Sequence, residues 1–184
     1  MNQPVVAAYT LTGLFWLSWM LAAVWTRSTT KRPPVGSQTF YTVLAVLGFG
    51  MLLSTDGADA ALALPLAWPL VGVVVGGYAF CWWARLHLGS LWSGTVTTKE
   101  GHHVVDTGPY RLVRHPIYTG LIIAGFGLAF LKLEIVPILG AVIWSLSFWV
   151  KARMEEGFLR AELGAESYDA YAAKTPMLIP FWPT

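Results

Sequence analysis

The side chains able to do chemistry in this 184-residue chain gather in two short polar stretches. The first, "GPYRLVRHPIYTG" from Gly108 to Gly120, sets Tyr110, Arg111, Arg114, His115 and Tyr118 among glycines and prolines. Proline suits the first position of a helix, and the residue before a proline is biased away from helical geometry. A helix is therefore expected to start at Pro116, with the N–H groups of Ile117 and Tyr118 left as free donors. Such a terminus attracts carboxylate or phosphate, and Arg111 and Arg114 add positive charge beside it. Tyrosine and arginine are equally at home as anchors at a membrane boundary.

The second stretch, Lys151 to Tyr171, opens with Lys151, Arg153, Glu155 and Glu156. On a helix, Lys151 and Glu155 are four apart and Arg153 and Glu156 three apart, the spacing of solvated ion pairs. A carboxylate placed there can also hold a cationic ligand. Upstream of the first stretch, His102 and His103 have no neighbouring cysteine. With His87 and His115 they show no zinc-ligand spacing, so no metal site is expected. Cys81, the lone cysteine, lies in an apolar run and is expected to be a core residue.

The elements that must position these residues are apolar. The composition is 55% hydrophobic and 12% charged, with mean hydropathy +0.56. A soluble domain has about a quarter charged residues, so an integral membrane protein is expected. A net charge of +2 gives no sign of a nucleic-acid partner. A span needs about 20 mostly apolar residues. Five are expected: Val5 to Trp25, Phe40 to Ser54 with extension upstream toward Gln38, Pro69 to Ala84 with extension to Leu88, Ile117 to Phe130, and Ile135 to Val150, the last two joined as a hairpin across Leu131–Glu134. The first run has no basic flank before it and no clear cleavage site after it, so it is expected to stay as an anchor. Five spans put eleven of the twelve Lys and Arg residues on one side, leaving Lys132 opposite. The positive side is cytoplasmic, so the N-terminus is expected outside and the C-terminus inside. Residues 1–184 read as one all-α domain, with three spans in 1–88 and a site-bearing half in 89–184. Gly72, Gly76 and Gly77 form a small-residue pattern for close helix packing, within a monomer or between two copies; packing within the monomer is the expectation.

The chain has no strand-GxGxxG-helix unit, Walker motif, Ser-His-Asp elbow or set of histidine boxes. Three segments in order, "LGSLWSG", "HHVVDTGPYRLVRHPIYTG" and "RMEEGFLRAELGAESYDAYAAKTPMLIPF", resemble the isoprenylcysteine carboxyl methyltransferase family. Its signature is RHPxY, a hydrophobic hairpin and a pair of glutamates, matched here by Arg114 to Tyr118, the hairpin closing at Val150, and Glu155-Glu156. The resemblance implies S-adenosylmethionine as methyl donor, with S-adenosylhomocysteine as product. It places His102, His103, Val104, Val105, Tyr110, His115, Pro116, Ile117, Tyr118 and Glu155 at the cofactor. Arg114 matches the family's essential arginine, Arg153, with Lys151 as the alternative, faces the substrate, and Glu156 serves if an amine must lose a proton. It further implies a cytoplasmic cofactor pocket and an acceptor that is lipophilic or prenylated, drawn from membrane lipid; a prokaryotic plasma membrane is the expected location. Leu163-Gly164 stands where the family usually has Phe-Gly, and Gly157 follows the glutamates. The acceptor thus stays open among carboxylate, thiol, amine and lipid. The competing reading is an NADPH-dependent membrane reductase of the sterol reductase type, which shares features of the C-terminal half.

Overall fold

The computed structural model describes residues 3–24, 29–31, 35–54, 64–95, 98–99 and 104–182. Six helices dominate: α1 (Gln3–Leu21), α2 (Val35–Leu52), α3 (Leu64–Leu88), α4 (Pro116–Lys132), α5 (Ile135–Leu163) and α6 (Ala165–Ala172). Strands β1 (Thr29–Lys31) and β2 (Thr98–Lys99) form one short antiparallel ladder that pairs Thr29 with Lys99. The chain is an all-α polytopic membrane protein. Among the described residues, Gln3–Val24, Pro65–Leu91 and Ile135–Leu163 are long and apolar enough to cross a membrane, while Gln38–Leu52 and Pro116–Lys132 are shorter apolar helices.

Several boundaries differ from the expected ones. Helix α2 begins at Val35, three residues before the expected upstream extension to Gln38, and α3 at Leu64, five residues before Pro69. Pro69 lies inside α3, in its second turn, where it withholds the N–H that would otherwise donate to the Pro65 carbonyl. The turn between α4 and α5 is only Leu133 and Glu134, with Leu133 in the left-handed region at φ 54. Helix α5 runs unbroken for 29 residues. At 1.5 Å per residue this is about 44 Å, against a hydrocarbon core of about 30 Å. Its final third, residues 154–163, therefore extends past the hydrocarbon and carries Glu155 and Glu156, with Lys151 one turn before them. Gly164, at φ +96, ends it and turns the chain into α6.

Helix α3 packs along α4, and α2 along α5; α4 and α5 close the bundle, with α1 against α3. Both main crossings are at glycine. A Cβ on Gly120 would stand 2.6 Å from Cys81 Sγ, and one on Gly48 would stand 2.6 Å from the Trp144 backbone nitrogen. The expected small-residue pattern of α3 is corrected here. Gly77 is the one pressed against α4, whereas Gly72 and Gly76 have no atom within 4 Å of a built Cβ. Their side of the helix faces open space.

One buried arginine fastens α1 to α3. Arg85 is 2% exposed, donates to Ala22 O at 2.6 Å, and lies 3.4 Å from the Trp92 ring centroid and 4.6 Å from that of Trp19. At the opposite end, Lys132 Nζ donates to Ser54 O and so ties α4 to the chain just after α2.

Candidate active site

Helix α4 starts as expected. His115 is its N-cap and Pro116 its first residue. The Thr119 N–H donates to His115 O at 3.0 Å, so the amides of Ile117 and Tyr118 have no acceptor within the helix. A short 3-10 turn, Gly108–Arg111, precedes it. Gly108 has φ +58, and a Cβ there would lie 2.6 Å from the His87 ring. The glycine is thus required both by conformation and by space. His87 Nε2 is 2.8 Å from Thr107 Oγ1, which holds the ring against this turn.

The protruding end of α5 supplies the acids. Tyr118 donates its hydroxyl to Glu155 Oε2 at 2.6 Å, and His115 Nδ1 lies 3.6 Å from the same oxygen. Glu156 Oε1 accepts from Arg114 Nε at 2.6 Å and lies 3.1 Å from His115 Nε2. His115 stacks on Tyr118 with ring centroids 5.2 Å apart. The two glutamates therefore grip one His-Tyr stack from adjacent positions.

The chain after α6 completes the clamp. Arg114 Nη1 donates to Ala172 O at 2.9 Å and to Thr175 O at 2.6 Å. The backbone N–H groups of Arg114 and His115 donate to Pro176 O and Met177 O. Tyr171 donates its hydroxyl to Tyr110 O at 2.7 Å. Burial pushes the hydroxyls of Tyr110, Tyr168 and Tyr171 well above the ordinary tyrosine range, so at neutral pH they are proton donors, not phenolates.

A cavity of about 390 Å³ opens between these elements. Val104, Val105, Tyr110, His115 and Glu155 line one part, and Trp16, Trp19, Met20, Tyr41, Ala45 and Val46 of α1 and α2 line another. Lys151 lies between the two. Its ammonium donates to Gly94 O at 2.8 Å and sits 5.1 Å from the Tyr118 ring centroid and 5.5 Å from that of Tyr41.

The sequence model of the isoprenylcysteine carboxyl methyltransferase family matches residues 70–161, half of the chain. The chain belongs to this family. It is 30% identical over 115 residues to a probable protein-S-isoprenylcysteine O-methyltransferase of rice (Oryza sativa subsp. japonica), covering 60% of this chain and 53% of the relative. It is 34% identical over 104 residues to the protein-S-isoprenylcysteine O-methyltransferase of Schizosaccharomyces pombe, covering 54% and 43% respectively. The chain thus spans about half the length of the curated relatives it matches. Both are eukaryotic and lend no support to the expected prokaryotic membrane.

The region matched by the methyltransferase family runs from α3 into α5 and includes Arg114, His115, Tyr118, Glu155 and Glu156. The structure brings Val104, Val105, Tyr110, Arg114, His115, Pro116, Ile117, Tyr118 and Glu155 to the cavity wall. His102 and His103 lie outside the described residues. Glu156 is not on the wall; its carboxylate is held by Arg114 and His115 behind it. Arg153 is exposed and away from the cavity, because two positions on a helix differ by about 200°; Lys151 is the α5 cation that lines it. Sequence reasoning did not place Trp16, Trp19 and Tyr41 at the site. The signal available was the aromatic richness of α1, with Trp16 and Trp19 three apart on one face.

Proposed function

We propose that this protein transfers a methyl group from S-adenosylmethionine to a lipophilic acceptor delivered from the membrane, most closely in the manner of carboxyl O-methylation of isoprenylcysteine. The observation that carries this reading is a cavity that combines two chemical characters. One part offers a carboxylate, a histidine and free helix amides; the other offers tryptophan, methionine and aliphatic surface. Its volume lies within the range typical of small-molecule sites.

The residues present fit the donor. Glu155 is a carboxylate on the wall, suited to an ammonium. The amides of Ile117 and Tyr118 are suited to a carboxylate. When bound, S-adenosylmethionine supplies an electrophilic methyl group on a sulfonium centre. Tyr118 already stacks on His115 and Phe148, which leaves Tyr110 as the better candidate for a cation-facing ring. Lys151 is assigned to the acceptor, where its ammonium would hold an anionic nucleophile at the join between the two parts. Arg114 and Glu156 position the others: Glu156 orients His115, and Arg114 locks the chain after α6 over the site. Holding the nucleophile in line and out of water then supplies much of the rate. The basic end of the bundle is assigned to the cytoplasm, the N-terminus to the far side, and the active form to a monomer of five spans.

The test is transfer from isotopically labelled S-adenosylmethionine, read by mass spectrometry, across a panel of a farnesylated cysteine analogue, a small thiol, an amine and phospholipid. Labelled methyl ester on the farnesylated carboxylate is the expected result. Label on a thiol, amine or phospholipid alone would reassign the acceptor, and no transfer to any of them would refute the methyltransferase reading.

A further inference from the structure

The chain beyond α6 carries a feature that the cavity does not use. Ile179, Phe181 and Trp182 are 57%, 93% and 64% exposed. They form a tight turn closed by the Trp182 N–H donating to Ile179 O at 3.2 Å, with Pro180 and Phe181 at its centre. Phe181 has φ +64, the left-handed conformation that the third position of a type II turn demands and that glycine normally supplies. In water this arrangement is unfavourable twice over, because a bulky residue takes a strained backbone and presents almost its whole ring to solvent.

The depth of the turn is set by what precedes it. Thr119 Oγ1 donates to Leu178 O at 2.7 Å, so Leu178 is level with the first turn of α4. That first turn in turn lies beside α3, where Cys81 Sγ donates to Ile117 O at 3.3 Å. Cys81 lies within Pro65–Leu91, the segment of α3 and the turn after it that is long and apolar enough to cross a membrane. Residue 178 is therefore held level with a point inside that span. Residues 179 and 182, the ends of one β-turn, stay within about 7 Å of each other, so the turn cannot carry its aromatic tip far into water. The interfacial zone beyond the hydrocarbon is itself several Å thick on each side, and it is where tryptophan and other aromatic rings concentrate.

We infer that the Ile179–Trp182 turn is a membrane-interface anchor whose partner is the lipid headgroup and upper acyl layer. Burial of the Phe181 and Trp182 rings in lipid offsets the strain at Phe181. Because residues 176–178 are bonded to Arg114, His115 and Thr119, the anchor holds the site's clamp against the bilayer surface. This rests on the chain spanning a membrane and is independent of the reaction it catalyses.

The test is spin labelling at Phe181→Cys and, separately, at Trp182→Cys in vesicles of phosphatidylcholine and phosphatidylglycerol, with accessibility to oxygen and to a water-soluble nickel chelate measured by power saturation. The unsubstituted chain, whose Cys81 is fully buried, sets the background, and Glu166→Cys on the exposed face of α6 is the aqueous reference. The expected result is an oxygen-to-nickel accessibility ratio several-fold above the reference at both positions. Ratios equal to the reference would overturn the anchor, and so would dipolar broadening between labels, which would assign the turn to a second copy of the chain. Loss of folding in one variant leaves the other to decide.

Discussion

Replacing Arg114 with alanine separates a positioning role from direct contact with the acceptor. The side chain is 11% exposed and its partner Glu156 13%. Losing one member of a buried pair costs about 3–5 kcal/mol, and the Ala172 and Thr175 carbonyls lose donors worth about 1 kcal/mol each. Glu156 keeps His115, which offsets part of this. The net loss is about 4–6 kcal/mol, felt mainly where the chain after α6 docks on α4 and α5. Arg114→Ala is therefore expected to speed proteolytic cleavage within residues 164–182 and to weaken S-adenosylhomocysteine binding at least tenfold by calorimetry. Arg114→Lys retains the charge but not the planar fork and is expected to fall between. Combining Arg114→Ala with Glu156→Gln should cost less than the sum, since the two side chains contact one another. If Arg114→Ala abolished turnover with cleavage rate and donor affinity unchanged, the positioning argument would be refuted, and Arg114 would belong to the acceptor site.

Other outcomes follow from the same geometry. Tyr118→Phe removes a 2.6 Å bond to Glu155, and a hydrogen bond to a charged group is worth about 1.5–3 kcal/mol; donor affinity should fall about tenfold or more, and an unchanged calorimetric Kd would remove Tyr118 from the site. Lys151→Met should raise the acceptor KM strongly while donor Kd barely moves, whereas Arg153→Met should leave both near their original values. Arg85→Ala is expected to cost about 3 kcal/mol or more through its lost charge-assisted bond and tryptophan contacts, read as a fall in Tm in detergent. Gly120→Ala should lower Tm through the α3 crossing, while Gly76→Ala, with open space around it, should leave it unchanged or raised. The raised pKa of Tyr110, Tyr168 and Tyr171 means that their contribution to stability is fully present below about pH 10, the ordinary tyrosine value, and is lost as pH rises beyond it. Tm scanned from pH 8 upward should hold level and then drop on the alkaline side.

The start of α4 was legible because its cause is local: Pro116 and the residue before it determine the turn whatever packs nearby. The hydropathic runs were legible for the same reason, although α2 starts earlier than expected because the helix takes in the polar Ser37, Gln38 and Thr39, and α3 because it takes in the apolar residues 64–68 ahead of Pro69. What could not be read is helical phase and partner choice. Lys151 and Arg153 have similar chemistry, and only the rotation of α5 sends one to the cavity and the other to solvent. Gly72 and Gly76 matched a packing pattern, but the position of α4 decides that Gly77 is the crossing. The link from Glu155 to Tyr118 spans the whole hairpin, and the aromatic wall from Trp16, Trp19 and Tyr41 comes from helices outside the matched family region. No local spacing encodes either.

The central claim is that this cavity holds an S-adenosyl donor. Titration calorimetry of the purified protein in detergent, with S-adenosylhomocysteine and with NADPH in parallel, tests it most directly. The account predicts saturable binding of S-adenosylhomocysteine that weakens in Glu155→Ala and His115→Ala protein still monodisperse on gel filtration, with no binding of NADPH. Binding of NADPH alone would contradict it.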